Sequence, residues 1–277
     1  GRAIQALIDS ADITVMQATP ATWHMLIEAG WSGQRGFKAL VGGESLTPGL
    51  ARQLLSRCSE LWNMYGPTET TVWSTCARIA SAEALITIGR PIANTQIQVL
   101  DAHGKPCPIG VPGEIYIGGD GVTQGYLKRP ELTAERFLAD PFRNEPGARL
   151  YRTGDRGRWR PDGTIEHLGR LDFQVKVRGH RIELGEIETA LAHCPGVARN
   201  VVIVREDRPG DARLVAYIVP TDTMPSAQAL REHLRASLPD YMVPQHFVQL
   251  KAIPVLPNGK TDRSKLPAPD HADRRKR

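Results

Sequence analysis

Four short segments of this chain concentrate Gly, Pro, hydroxyl and charged residues at spacings that could do chemistry. The first, Asn63-Met64-Tyr65-Gly66-Pro67-Thr68-Glu69-Thr70-Thr71, puts an aromatic, a tight turn, a hydroxyl and a carboxylate close together. A Gly-Pro turn can set Thr68 and Glu69 at the lip of a sheet, where a hydroxyl donates to a phosphate and a carboxylate helps hold Mg²⁺. The second is Tyr151-Arg152-Thr153-Gly154-Asp155, whose carboxylate just after a Gly suits both hydrogen bonds of a ribose diol. The third runs from Gly169-Arg170-Leu171-Asp172 through Gln174-Val175-Lys176-Val177-Arg178-Gly179-His180-Arg181-Ile182-Glu183, and the fourth is Pro257-Asn258-Gly259-Lys260, a lysine on a loop. Each also has a purely structural reading: a turn and helix cap, a turn before a hairpin, a solvated strand face, a surface reverse turn.

Positioning such residues takes a folded scaffold, and the rest of the sequence describes one. A chain of 277 residues with 41% hydrophobic residues suggests about two domains. Thr47 and Pro48 open a helix expected over 46–58 with Leu50, Leu54 and Leu55 on one face. Ile13-Thr14-Val15-Met16 and Ala39-Leu40-Val41 look like short buried strands, so the first part reads as layered α/β. Between Ile97 and Ile117 the pattern turns to short β-rich runs, and Pro161-Asp162-Gly163-Thr164 reads as a hairpin turn between Trp159 and Ile165. Strict alternation from Phe173 to Arg178 puts Gln174, Lys176 and Arg178 on one strand face. A helix over 183–193, strands at 200–205 and 213–219, and a helix over 226–237 capped by Ser226 make a compact α+β unit. The boundary falls near Asp172. The expected division is thus a layered α/β part over 1–171, a small α+β domain over 172–267, and a basic tail or linker over 268–277.

Composition excludes several functions. The longest aliphatic run of note, Val201 to Val204, is far short of the roughly 20 apolar residues a membrane span needs. The net charge of +5 rests mostly on Arg274, Arg275, Lys276 and Arg277, a terminal run rather than a basic face, which argues against nucleic acid as a partner. Cys58, Cys76, Cys107 and Cys194 stand far apart with no C-x-x-C pair, as free thiols in a reducing cytoplasm would. No signal peptide is read at the amino end.

In order and spacing, the four segments resemble the later core motifs of the adenylation domains of nonribosomal peptide synthetases, in the adenylate-forming superfamily with acyl-CoA synthetases and firefly luciferase. The resemblance extends to Gly113-Glu114-Ile115-Tyr116-Ile117-Gly118-Gly119, to Gly125-Tyr126-Leu127-Lys128-Arg129-Pro130-Glu131-Leu132-Thr133 and to Leu238-Pro239-Asp240-Tyr241-Met242-Val243-Pro244. It implies a large domain hinged to a small one and two half-reactions: an amino acid carboxylate attacks the α-phosphate of Mg-ATP, and a carrier protein's phosphopantetheine thiol then takes the acyl group. Such chemistry needs positioning and charge neutralisation more than acid–base groups.

By the same resemblance, Gly42, Gly43 and Asn63 border adenine and Tyr65 packs on its ring. Thr68 contacts the α-phosphate, Glu69 the magnesium, and Asp155 and Arg170 the ribose. His167 stands where an aromatic near the nucleotide is usual, and Arg156 where a Leu commonly follows Thr-Gly-Asp. Asp172 matches the hinge, Lys176 and Gly179 belong to the thioester loop, and Lys260 matches the mobile-domain lysine of adenylation. Gln17 (or Ala18, one residue on), Leu40, Gly42, Met64, Val72 and Trp73 line the side-chain pocket in a glycine-selecting pattern, alanine or another small residue being the runner-up. Alternatively Met64 and Trp73 merely pack the core behind the site.

The sequence contains no Ser/Thr/Gly-rich phosphate loop ending in Pro-Lys-Gly and no Asp for the substrate ammonium, so the resemblance implies the carboxyl-terminal half of such an enzyme, inactive by itself. The expected function is amino acid activation with a carrier domain and neighbouring synthetase modules as partners. An acyl-CoA synthetase-like ligase and a non-catalytic interaction module are the alternatives.

Overall fold

The computed structural model describes residues 1–172, 174–207, 211–256 and 261–269. Lys260 and its loop, and all but two residues of the basic tail, lie outside them. The chain divides into two compact units, Gly1–Asp172 and Phe173–Arg277, and the fold is α/β with open sheets.

The first unit begins with helix α1 (Arg2–Ser10), strand β1 (Val15–Ala18), α2 (Pro20–Glu28), β2 (Lys38–Gly42), α3 (Pro48–Leu55) and β3 (Glu60–Tyr65). Strands β1, β2 and β3 are parallel neighbours, and β4 (Thr75–Ile79) and β5 (Arg90–Pro91) extend the sheet antiparallel, in the order β1-β2-β3-β4-β5. Crossover helices between parallel strands must bury one sheet face. Here Ala39, Val41 and Leu61 meet Trp23, Leu26, Leu50 and Leu54 in one cluster, with Trp23, Trp31 and Phe37 in ring contact at 5.3–6.3 Å. Each Val, Leu or Phe of this cluster contributes about 1.5–3 kcal/mol on burial.

The strand expected at 13–16 lies two residues later. Ile13 is still held to α1, its N–H donating to Ile8 O at 3.3 Å, and Asp12 turns the chain at a φ of +48°. Helix α3 is shorter than its pattern. Thr47 caps it, accepting from Leu50 N, but Arg57 folds back to donate to the Gln53 carbonyl at 2.8 Å and closes the end.

The second sheet of this unit is antiparallel. It is built from β6 (Thr95–Leu100), β7 (Gly113–Gly119), β9 (Arg149–Trp159) and β10 (Ile165–Arg170) in the order β10-β9-β7-β6, with α4 (Pro130–Arg136) leading into β8 (Phe137–Ala139), which pairs with β9. The Pro161–Thr164 turn joins β9 to β10, Trp159 opposite Ile165. Ile97, Ile115, Ile117 and Ile165 form its core together with Ile88 and Tyr65, so Tyr65 is packed where the two sheets of the unit meet.

The second unit opens with a hairpin of β11 (Gln174–Val177) and β12 (His180–Glu183), followed by α5 (Leu184–Ala192), β13 (Val197–Arg205), β14 (Arg213–Pro220), α6 (Ala227–Arg235) and β15 (His246–Gln249). Strand β14 pairs antiparallel with β13 and parallel with β15. Ile187 and Leu191 of α5 and Leu230 and Leu234 of α6 cover Val202, Leu214, Ala216 and Ile218. One expectation is corrected here. Gln174 and Lys176 keep the same face of β11, with Gln174 buried against Glu183 and Arg181, but Arg178 has left the strand for the turn at a φ of +53°, so the three do not share one strand face.

Candidate active site

Asp155 is the centre of a buried polar cluster of the first unit. It ends the Thr-Gly-Asp turn within β9 and is 6% exposed. Tyr65 Oη donates to its Oδ2 at 2.6 Å, and Arg170 Nη1 donates to its Oδ1 at 2.8 Å. His167 Nε2 lies 3.5 Å from the same Oδ1. The Gly169 amide donates to His167 Nδ1 at 3.2 Å, which places the imidazole proton on the Nε2 side. His167 also packs beside the Tyr65 ring, centroids 5.7 Å apart, as an aromatic at that position would.

These contacts decide the protonation state. Burial alone pushes the Asp155 carboxyl upward, but the hydrogen bond from His167, then the charge of Arg170, then the Tyr65 hydroxyl outweigh it and hold the group below the ordinary carboxylate range. Burial, and secondly the charge of Asp155, push the Tyr65 phenol well above its usual value, so it remains a donor. Arg170 is shared: its Nε and Nη2 also grip both oxygens of Asp172 at 2.6 and 2.7 Å. Buried Thr153 accepts from the Asp155 amide at 2.9 Å and donates to Ile115 O at 2.7 Å, while Glu114 holds Arg152 and the Gly154 amide. Neither Thr153 nor Glu114 was assigned a role by its motif, because each acts through a partner about 40 residues away in sequence.

Register places Gln17, Leu40, Gly42 and Met64 on one face of the first sheet. Gln17 is opposite Leu40, and Gly42 is opposite Met64, so these residues project away from the face that α2 and α3 cover. Gln17 and Val72 are exposed, and Leu40, Met64 and Trp73 half-buried. Trp73 lies directly on Gly42: a Cβ there would come 2.3 Å from the Trp73 Cη2 and 2.5 Å from its Cζ3. Only glycine permits that approach, and the indole occupies the space a side chain at 42 would have left.

The remaining candidates divide. Gly43 turns the chain out of β2 at a φ of +88°. Asn63 projects to the helix-covered side, its amide donating to Thr87 O at 2.8 Å. Thr68 is exposed at the start of a short 3₁₀ turn, Thr68–Thr70, whereas Glu69 is 9% exposed. Glu69 Oε1 accepts from Tyr126 Oη at 2.6 Å; Tyr126 belongs to a quoted motif, but nothing local in it points across 57 residues to a carboxylate. Among the described residues no group of three or more His, Cys, Asp or Glu could hold a metal ion. In the second unit, Lys176 is paired with Arg181 in the hairpin, Gly179 forms its turn at a φ of +82°, and His180 stacks on Tyr241 at 4.1 Å and 8°. The four cysteines carry no disulfide, and no described helix is long and apolar enough to cross a membrane.

Comparison with known proteins gives this geometry a family. A family model for AMP-binding enzymes matches residues 2–127, and one for the AMP-binding enzyme C-terminal domain matches residues 186–260. The chain is 50% identical over 270 residues to a dimodular nonribosomal peptide synthase of Bacillus subtilis (strain 168), an alignment covering 97% of this chain and 11% of that protein. It is 48% identical over 261 residues to tyrocidine synthase 3 of Brevibacillus parabrevis, covering 93% of this chain and 4% of that protein. A four-domain holo nonribosomal peptide synthetase solved with AMP and glycine is 47% identical, with a TM-score of 0.60 and coverage of 98% of this chain and 20% of that one. A synthetase protein containing adenylation and PCP domains is 32% identical, with a TM-score of 0.82 and coverage of 94% and 45%. The chain therefore spans about a tenth or less of these curated relatives. It belongs to the AMP-binding enzymes, in the branch formed by the adenylation domains of nonribosomal peptide synthetases.

Proposed function

We propose that this chain takes part in ATP-dependent activation of an amino acid as aminoacyl-AMP and in its transfer to the phosphopantetheine thiol of a carrier protein, with neighbouring synthetase modules as partners. The observation that carries the reading is the buried Asp155 carboxylate, held ionised by Tyr65, His167 and Arg170. An anion fixed in that way is a preorganised acceptor for sugar hydroxyls, beside two rings that offer an apolar wall to a base. The amino acid carboxylate attacks the α-phosphorus, the bond to pyrophosphate breaks, and no proton need move. Gly42, Gly43 and Asn63 border the base, and Thr68 serves the α-phosphate.

The residues present fit a magnesium ion that arrives with the nucleotide. A nearly buried Glu69 carboxylate is the single protein ligand, as is usual where phosphates and water complete the shell. When bound, magnesium supplies charge neutralisation at the phosphate oxygens. Asp172 serves as hinge, and Lys176 and Gly179 as part of the thioester loop. Lys260, outside the described residues, is assigned to adenylation. Lys260→Ala is expected to depress adenylation much more than transfer from preformed aminoacyl-AMP, and equal losses would count against that assignment.

Glycine is the proposed substrate, with alanine next. Trp73 seated on Gly42, with Met64 alongside in register, leaves space for little beyond an α-carbon, and the related four-domain synthetase was solved with glycine. Steric exclusion discriminates more sharply than one absent methylene, which changes binding by about 1–3 kcal/mol. The test is ATP–pyrophosphate exchange over all proteinogenic amino acids, in an adenylation domain carrying these 277 residues. Glycine should lead and Trp73→Gly should broaden acceptance, whereas preference for an aromatic or long charged substrate sinks the small-pocket reading. The 277-residue polypeptide by itself is expected to exchange poorly, since its sequence contains no phosphate loop.

A further inference from the structure

Glu69 sits in a short turn that is fastened by a segment distant in sequence. The 3₁₀ segment Thr68–Thr70 is three residues long and is followed by two non-glycine residues in the left-handed region, Thr71 at a φ of +60° and Val72 at +71°. Backbone in that region persists only where the surroundings fix it. Those surroundings are the segment from Gly121 to Tyr126. Gly121 O accepts from Thr71 Oγ1 at 2.7 Å, the Thr123 amide donates to Glu69 O at 2.9 Å, and Tyr126 Oη donates to Glu69 Oε1 at 2.6 Å. Residue 69 is thus gripped twice, by its carbonyl and by its carboxylate.

The donor is itself held. Arg149 clamps the carbonyls of Thr123 and Gln124 at 2.8 and 2.9 Å. The Tyr126 amide donates to Thr133 Oγ1 at 2.9 Å, and its ring meets Phe137 edge-on with centroids 5.5 Å apart. A fixed hydroxyl bonded to a nearly buried carboxylate oxygen orients that group.

We infer that Tyr126 is a positioning residue for the metal-binding step: its hydroxyl sets the Glu69 carboxylate in one orientation for the divalent cation that accompanies the nucleotide. The inference rests on the assignment of Glu69 to magnesium, and the experiment separates the two. In an adenylation domain carrying these residues, Tyr126→Phe keeps the ring on Phe137 and deletes only the hydroxyl. Thr71→Val deletes the other side-chain staple of the same loop.

Binding of Mn²⁺ in the presence of α,β-methylene-ATP is read by electron paramagnetic resonance, and Mg²⁺ half-saturation of glycine-dependent pyrophosphate exchange is read alongside. A hydrogen bond to a charged group corresponds to about tenfold in an equilibrium constant. Tyr126→Phe is therefore expected to weaken Mn²⁺ binding and raise Mg²⁺ half-saturation about tenfold, with the KM for glycine unchanged. Thr71→Val should leave both cation readings within about twofold, and adding Tyr126→Phe to Glu69→Gln should produce no further loss. Unchanged cation affinity in Tyr126→Phe, while Glu69→Gln loses it, overturns the role of Tyr126 and keeps Glu69 as ligand. Unchanged affinity in Glu69→Gln overturns both, and an equal shift in Thr71→Val and Tyr126→Phe reduces the contact to general loop stiffness.

Discussion

The two units carry their candidate functional residues in opposite ways. In the first, Tyr65, Asp155, His167 and Arg170 are brought from three strands to one buried carboxylate, and each is bonded to it or packed beside another member. In the second, residues 176–181 are contiguous, on a hairpin whose two-residue turn is Arg178-Gly179, both at positive φ, with Val177 opposite His180. That geometry is a type I′ turn, which needs two left-handed residues and matches the twist of its strands. The buried cluster depends on charge pairing across the unit, so removing one member strands the others. The hairpin turn depends on local backbone conformation, so a change at Arg178 or Gly179 acts mainly through strain.

The largest expected effect follows from the buried cluster. Asp155→Ala leaves the Arg170 guanidinium and the Tyr65 hydroxyl without their shared acceptor. Breaking a buried ion pair from one side costs about 3–5 kcal/mol, and thermal unfolding should show a loss of several degrees together with nucleotide affinity. Asp155→Asn keeps an acceptor for Tyr65 and should lose less. A Tm for Asp155→Ala within one degree of the parent would show that the cluster is not what holds the turn.

The same carboxylate sharpens the comparison through pH. Its folded-state pKa is depressed, so its stabilising contribution is complete above the unfolded value of about 3.9 and is lost as pH falls through the folded one. Denaturant midpoints of the parent and of Asp155→Asn should therefore converge as pH falls from about 5 towards 3. A gap that stays constant over that range would mean that Asp155 is not held as a paired anion.

In the hairpin the expected effect is smaller. Gly179→Ala puts a Cβ on a backbone with a φ of +82° and should cost about 1 kcal/mol. Arg178→Gly, relieving a side chain at a φ of +53°, should stabilise. Opposite signs for these neighbours would establish that conformation governs this turn, whereas losses of equal size would point to side-chain contacts instead.

What could be read from the sequence follows the same division between local and distant. Thr47 and Ser226 announce their helices because a cap is a three-residue event, and the Pro161–Thr164 turn is legible for the same reason. Strand β15 carried no recognised signal: it pairs parallel to β14, and a parallel partner gives no turn to find. The motifs named Tyr65, Asp155 and Arg170 separately, but that one carboxylate takes hydrogen bonds from both of the others depends on a pairing across 90 residues. Trp73 against Gly42 and Tyr126 on Glu69 are likewise contacts between segments distant in sequence. The turn position of Arg178 is not legible because alternation continues in the sequence past the point where the strand ends.

The most local effect is expected at the amino end of α6, which carries none of the candidate functional residues. Ser226 Oγ accepts from the Ala229 amide at 3.1 Å, satisfying one of the orphan donors of the first turn. Leu230 and Leu234 anchor the helix on the core of the unit whatever happens at its cap. Ser226→Ala removes the acceptor and should cost about 1 kcal/mol, while Ser226→Gly should cost only a few tenths. Hydrogen exchange resolves so local a change: amides 228–230 should lose protection in the order Ser, Gly, Ala, while the Asp155 amide, bonded to Thr153, keeps its own. If Ser226→Ala instead lowered protection throughout the 227–235 helix, the cap would be organising the whole element, and the second unit would be less dependent on its apolar face than its packing indicates.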